Sequence, residues 1–248
     1  MRVLLLGGTT EASRMAEALA GAGVDAVFSY AGRTKAPVAQ PLPTRIGGFG
    51  GVEGLVAYLR AERISHVIDA THPFADGMSR NAHTACGETG VALTRLERPA
   101  WVAGDGDEWQ SFARLEDIPA ALPKAPARVF LAIGKLQIGL FAAAPQHHYL
   151  LRLVDAPEVA LPVPHAEVVI ARGPFDVAGD RALMEAHGIT HVVAKNSGGT
   201  GARAKLDAAR ALGLPVLMAE RPVVPGDSVV GGVGEALRWL GHGADLGV

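Results

Sequence analysis

The chain holds a single cysteine, Cys86, among 248 residues, so neither an internal disulfide nor a cysteine zinc cluster is open to it. Aromatic residues are scarce, at 5%. No apolar run approaches the ~20 residues that a membrane-spanning helix needs. Charge of one sign is missing too: the net charge is −2 and the pI about 6.5. That leaves no bulk attraction for nucleic acid or an anionic membrane surface, and neither is expected as a partner. Lysine supplies only five of the 23 basic residues. Arginine grips carboxylates and phosphates with a planar fork, although genome composition produces the same bias. The histidines fall into no zinc-binding spacing, and the adjacent His147 and His148 point to opposite faces of a strand, so no metal is expected. The opening MRVLLLGG reaches a glycine turn before it attains the length of a signal core, and a cytoplasmic protein is expected.

Hydrophobic residues make up 49% of the chain and charged ones 19%, which provides for a sizeable core. RVLLLG (2–7) is a continuous apolar run ended by glycine, the pattern of a strand buried on both faces. In the next segment, 10–23, Ala12, Met15, Ala16 and Leu19 recur at helical spacing before Gly21 and Gly23. The alternation continues, with strands read at 25–32, 65–73, 91–101, 127–134, 147–154, 166–173, 190–197 and 215–222. Helices are read at 51–64, 75–90, 135–144, 175–189, 198–214 and 228–240. Strand–helix alternation predicts parallel sheets covered by helices on both faces, and about nine strands are more than one open sheet carries comfortably. The expected fold is therefore α/β, with two Rossmann-like domains, parallel sheets and a cleft between them. The expected division is 1–115 and 116–248, with the Pro/Ala-rich segment 117–127 as the crossover. A plain loop within one domain is the alternative, and strand exchange between the domains is invisible in the sequence.

Ligands of such sheets bind beyond the carboxyl ends of the strands. GGTTEAS (7–13) departs from GxGxxG, yet it is a glycine turn feeding a helix that Thr9 or Thr10 can cap, and free N–H groups there suit a phosphate. An ordinary tight turn has the same sequence. The end of the second strand meets the adenine ribose in dinucleotide-binding folds. Here Ser29, Arg33 and Thr34 occur without Asp or Glu, which favours NADPH over NADH. The glycine-rich 45–51 segment lets backbone approach a ligand, or is simply a turn. Asp69, Thr71 and His72 end a strand. His72 is the one catalytic candidate, as a proton donor, and a hydrogen-bonded structural histidine is the plainer reading. Arg95 and Arg98 are able to hold carboxylates or to pair with nearby acids. In KNSGGTGARAKL (195–206) a strand end precedes three glycines in four residues. It lacks the order of a P-loop, so a carboxylate-bearing ligand suits it better than a triphosphate.

The segments GGTTEA, SYAGR, RIGGFGG, DATHPFA, RLERPAW, RGPF and KNSGG, in this order, resemble the precorrin-6A reductase family over roughly residues 3–222. The resemblance implies an oxidoreductase of cobalamin biosynthesis in which NADPH delivers hydride to precorrin-6A, giving precorrin-6B. It assigns Gly8, Thr9 and Glu11 to the cofactor, Ser29, Gly32, Arg33 and Thr34 to its ribose-phosphate end, and Gly47, Gly48, Thr71 and His72 to the remainder. Lys195, Asn196, Ser197 and Gly199, helped by Arg172, are implied for the substrate, a tetrapyrrole bearing several carboxylates. The cobalt-loaded substrate of the anaerobic branch and a non-catalytic NADPH-binding protein are the alternatives. A short-chain reductase is disfavoured, because none of the three tyrosines has lysine four residues on. A monomer is admissible, and the sequence does not fix the oligomeric state.

Overall fold

The computed structural model describes residues 1–32, 37–226 and 228–245. The described strands form two six-stranded sheets in which every neighbouring pair is parallel. The first contains β1 (Arg2–Leu6), β2 (Asp25–Tyr30), β3 (Thr44–Ile46), β4 (His66–Asp69), β5 (Ala92–Leu96) and β12 (Val229–Val230). The second contains β6 (Trp109–Phe112), β7 (Arg128–Ala132), β8 (His148–Leu153), β9 (Ala166–Ile170), β10 (His191–Lys195) and β11 (Val216–Ala219). Their orders, β12-β5-β4-β1-β2-β3 and β6-β11-β10-β7-β8-β9, are the same doubly wound pattern. It reverses direction between β1 and β4 in one sheet and between β7 and β10 in the other.

The apolar run at the start of the chain works as a two-faced strand. Val3 and Leu5 pack with Met15 and Leu19 of α1 (Thr10–Gly21) and with Ala236 and Leu240 of α7 (Val233–Asp245). Leu4 and Leu6 face the other way, onto Leu55 and Leu59 of α2 (Gly51–Ala61) and Ala82 and Cys86 of α3 (Asp76–Thr89). Each fully buried Leu or Phe contributes roughly 1.5–3 kcal/mol of transfer free energy. In the second sheet Phe130, Leu150, Val192 and Met218 pack with Met184 of α5 (Val177–Ala186) and Leu206 and Ala209 of α6 (Ala204–Ala211). Near α4 (Ile118–Ala121) lies a 3-10 helix, Lys135–Ala143, where the Tyr149 hydroxyl donates to Ala144 O at 2.7 Å.

Several elements depart from the sequence reading. The segment 135–144, expected to be α-helical, winds as a 3-10 helix. The helix expected at 198–214 begins only at Ala204, because the glycines form turns with positive φ at Gly198 and Gly199. The stretch 228–240 contains β12 as well as the start of α7. β3 and β6 are strands where the residue pattern predicts none.

The chain divides into two compact units, Met1–Pro99 with the segment from Val223 onward, and Ala100–Pro222. This differs from the contiguous 1–115 and 116–248 division. β6 pairs with β11, which draws residues from 100 onward into the second unit. β12 pairs with β5, and α7 packs on α1, which returns the chain end to the first. The strand after β5 thus completes the second sheet, and the strand after β11 completes the first.

Candidate functional site

At the reversal point of the first sheet, β1 ends in the Gly7–Gly8–Thr9 turn. A Cβ on Gly7 would lie 2.1 Å from Phe28 Cζ, so the turn packs against β2 only as glycine. Gly8 has φ 129° and faces open space. Thr9 caps α1: its Oγ1 accepts from Ala12 N at 3.1 Å and donates to Ala70 O at 2.8 Å. One hydroxyl therefore fixes the helix start and ties it to the end of β4. The arrangement leaves an unobstructed space before a capped helix N-terminus, which suits an anionic diphosphate.

Across the reversal, Asp69 Oδ1 accepts from Thr71 N at 3.1 Å and from Thr71 Oγ1 at 2.6 Å, while Oδ2 is buried without a partner. Thr71 and Thr9 line a small pocket with Glu11, Pro73, Leu96 and Arg98. Glu11, expected to meet the cofactor, forms an ion pair with Arg98, and Arg95 pairs with Glu97. The pairing alternative therefore describes both arginines. His72 is exposed, and its Nδ1 accepts from Phe74 N at 3.2 Å, bracing the turn that leads into α3. Burial, and secondarily Asp69, pushes the Cys86 thiol up to about 12, which keeps it protonated and unreactive.

The end of β2 is organised by a residue the sequence did not single out. Arg45 of β3 donates from Nη1 to Ser29 Oγ and to Gly47 O, both at 2.8 Å, and from Nη2 to Gly48 O at 3.1 Å. Its Cζ lies 3.8 Å from the centroid of the Phe49 ring. Gly32 and Gly47 approach closely: a Cβ on Gly32 would be 3.7 Å from Gly47 Cα. The structure thus brings Ser29, Gly32, Gly47 and Gly48 together. Gly47, at φ 123°, and Gly48 both face open space. Arg33 and Thr34 lie outside the described residues.

In the second sheet the reversal point carries Gly134, at φ 76°, after β7, and the Lys195–Gly199 segment after β10. Lys195 Nζ donates to Gln137 Oε1 of the 3-10 helix. Burial lowers its pKa to about 8, with Glu116 pulling weakly the other way. Asn196 is buried and takes a structural part. Its Oδ1 accepts from Trp101 N at 2.8 Å, and its Nδ2 donates to Trp101 O at 3.0 Å and Glu220 Oε2 at 3.1 Å. Both amide protons are therefore occupied. Ser197 is buried, and Gly199 O accepts from the Trp101 indole at 2.6 Å. Trp101, another residue the sequence reading missed, is the plug on which this loop is built. Arg172 is exposed. A pocket of the same unit lies against Phe130, Arg152, Phe175, Asp180 and Lys205, with Arg152 stacked 3.5 Å over Phe175 and paired with Asp180. A further pocket, lined by Arg128, His148, His165 and Glu167, opens at the amino ends of the strands, away from where parallel sheets bind ligands. Among the described residues no group of three or more His, Cys, Asp or Glu is placed to hold a metal ion, and no helix is long and apolar enough to cross a membrane.

Two doubly wound sheets with glycine turns at both reversal points suit nucleotide-dependent chemistry, and comparison with known proteins narrows the choice. The family described as Precorrin-6x reductase CbiJ/CobK matches residues 2–241. The chain belongs to this family. The precorrin-6A reductase of Rhodobacter capsulatus is 64% identical over 244 residues, covering 98% of this chain and 97% of that protein. The cobalt-precorrin-6A reductase of Priestia megaterium is 28% identical over 238 residues, covering 90% and 91%. A solved structure, CobK precorrin-6A reductase, superposes with a TM-score of 0.94 at 63% identity, covering 98% of this chain and 96% of that one. Membership makes the chain an oxidoreductase.

Proposed function

We propose that this protein reduces precorrin-6A to precorrin-6B with NADPH, as a step of cobalamin biosynthesis. The observation that carries the reading is the set of glycines and caps at the first reversal point, in a chain that the family matches over residues 2–241. NADPH, when bound, supplies a hydride from its nicotinamide ring. The α1 N-terminus, opened by Gly8 and capped by Thr9, receives the diphosphate. Ser29, Gly32, Arg33 and Thr34 take the phosphorylated ribose, and residues 29–50 contain no Asp or Glu to repel it. Gly47 and Gly48 border the cofactor with backbone alone, and Thr71 and His72 flank its reactive end. Glu11 acts at one remove, by holding Arg98.

Lys195, Ser197, Gly199 and Arg172 meet the carboxylates of the tetrapyrrole, whose negative charge an ammonium and a guanidinium favour. Asn196 sets the shape of that loop through Trp101. The proton that completes the reduction comes from solvent in this reading, and His72 serves the turn. The greater identity to the precorrin-6A reductase than to the cobalt-precorrin enzyme, 64% against 28%, favours the metal-free substrate.

Calorimetric titration with NADPH and NADH, on wild type and Arg33→Ala, tests the cofactor assignment. Tight NADPH binding, much weaker NADH binding and loss of that preference in the variant are expected. Failure of wild type to bind either cofactor, alone or with the macrocycle present, would remove it.

A further inference from the structure

β3 is three residues long and carries one long polar side chain, Arg45. The parallel register sets it directly beside Ser29, the residue at which β2 approaches the cofactor ribose in the proposed function. The guanidinium is fixed in plane and position. Its Nη1 donates to Ser29 Oγ and Gly47 O and its Nη2 to Gly48 O, so the fork spans the ends of both strands, and its Cζ lies 3.8 Å over the Phe49 ring. All three acceptors are neutral, and among the described residues no carboxylate pairs with it. Its full positive charge is therefore undiminished at the end of β2. Because Ser29 Oγ accepts from Arg45, the serine keeps its own proton to donate. A hydroxyl polarised by a guanidinium is a stronger donor to a phosphate oxygen than an isolated one.

We propose that Arg45 is a specificity-determining positioning residue, which sets the preference for a 2′-phosphorylated nicotinamide cofactor by orienting Ser29 and the Gly47–Gly48 backbone and by supplying unneutralised charge beside them. The inference rests on the NADPH reading and adds to it a second arginine, distinct from Arg33, that acts through its neighbours.

The test is titration of wild type, Arg45→Met and Arg45→Lys with NADPH and with NADH. Methionine keeps an unbranched apolar stem and removes both charge and fork; lysine keeps the charge and loses the fork. The ratio of NADPH to NADH affinity should fall about 10-fold or more in Arg45→Met and by less in Arg45→Lys. A purely structural loop defect lowers both affinities in proportion, since both cofactors share the diphosphate and adenosine, so an unmoved ratio overturns the proposal. Should Arg45→Met not fold, Arg45→Lys and Ser29→Ala carry the test. Each must lower the ratio, and the double variant must lower it by less than the product of the two; independent effects overturn the proposal. Wild type that binds neither cofactor removes the NADPH reading and this one with it. Tight NADPH binding with an unmoved ratio removes this one alone.

Discussion

Lys195 ends β10 with its ammonium bound to Gln137 and a pKa drawn from 10.5 to about 8 by burial. Between those two values the unfolded chain holds more protons than the native one, so this group makes stability rise with pH across the window. Below about pH 8 both states are protonated, and the cost of burying the charge is present in full. Urea denaturation of wild type and Lys195→Met at about pH 7 and about pH 10 measures the effect. The stability of wild type relative to the variant should be lower at the first pH than at the second. An equal difference at both would mean that the amine is not desolvated. A lysine so placed destabilises the fold at neutral pH, which is why a role toward the carboxylates of a substrate is the simplest reading of it. Thr9 shows the other kind of residue, one whose part is legible in the sequence, since a hydroxyl between a glycine turn and an apolar periodic segment is a helix cap.

The loop after β10 is an element built on a distant partner. Asn196 presents its amide to both main-chain groups of Trp101, 95 residues away, in the manner of a strand. Asn196→Ala strands that N–H and C=O inside the protein, and a loss of about 2–4 kcal/mol is expected. The urea midpoint should fall and the tryptophan emission shift to the red as Trp101 is exposed. A loss below about 0.5 kcal/mol, as at an ordinary surface position, would contradict this account of the loop. The residue pattern places Asn196 at the strand end correctly and suggests a ligand contact, because spacing displays a polar side chain but not its partner. Arg45 escapes notice for the same reason, as nothing in TRIGG announces the register that sets it beside Ser29. A continuous apolar run such as 2–7 is legible because burial on both faces imposes it. The three-residue β3 and the partly exposed edge strand β6 carry no such constraint and stay hidden. KLQIGLFAAA has the composition of a helix, which a 3-10 winding shares. Three glycines in four residues read as a helix start, whereas they occupy the turns ahead of it.

At the scale of the molecule, parallel alternation and length suffice for two Rossmann-like sheets. They do not reveal that each sheet takes its sixth strand from the other side of the chain's order. β12 is only two residues long, and main-chain hydrogen bonds tie it and the residue before it to β5, Glu97 N to Val230 O at 3.0 Å and Arg95 N to Ser228 O at 2.9 Å, with the Thr94 and Ser228 hydroxyls, 134 residues apart, bonded beside them at 2.9 Å. The core of the first unit is likewise closed by α7, through Ala236 and Leu240 with Leu237 and Trp239 beside them. The first unit is therefore complete only when the whole chain is present, and such non-local closure is entropically slow. Both reversal points are then displayed by one polypeptide, each with its own glycine turn, which suits an enzyme that must hold a nucleotide and a large anionic ring.

Anaerobic incubation of the full chain with precorrin-6A and NADPH, following nicotinamide oxidation and the mass of the macrocycle together, tests that claim most directly. NADPH consumption one-for-one with formation of precorrin-6B is expected, with little reaction with NADH and a slower reaction with the cobalt-loaded ring. NADPH that binds yet is not oxidised in the presence of either macrocycle would contradict it.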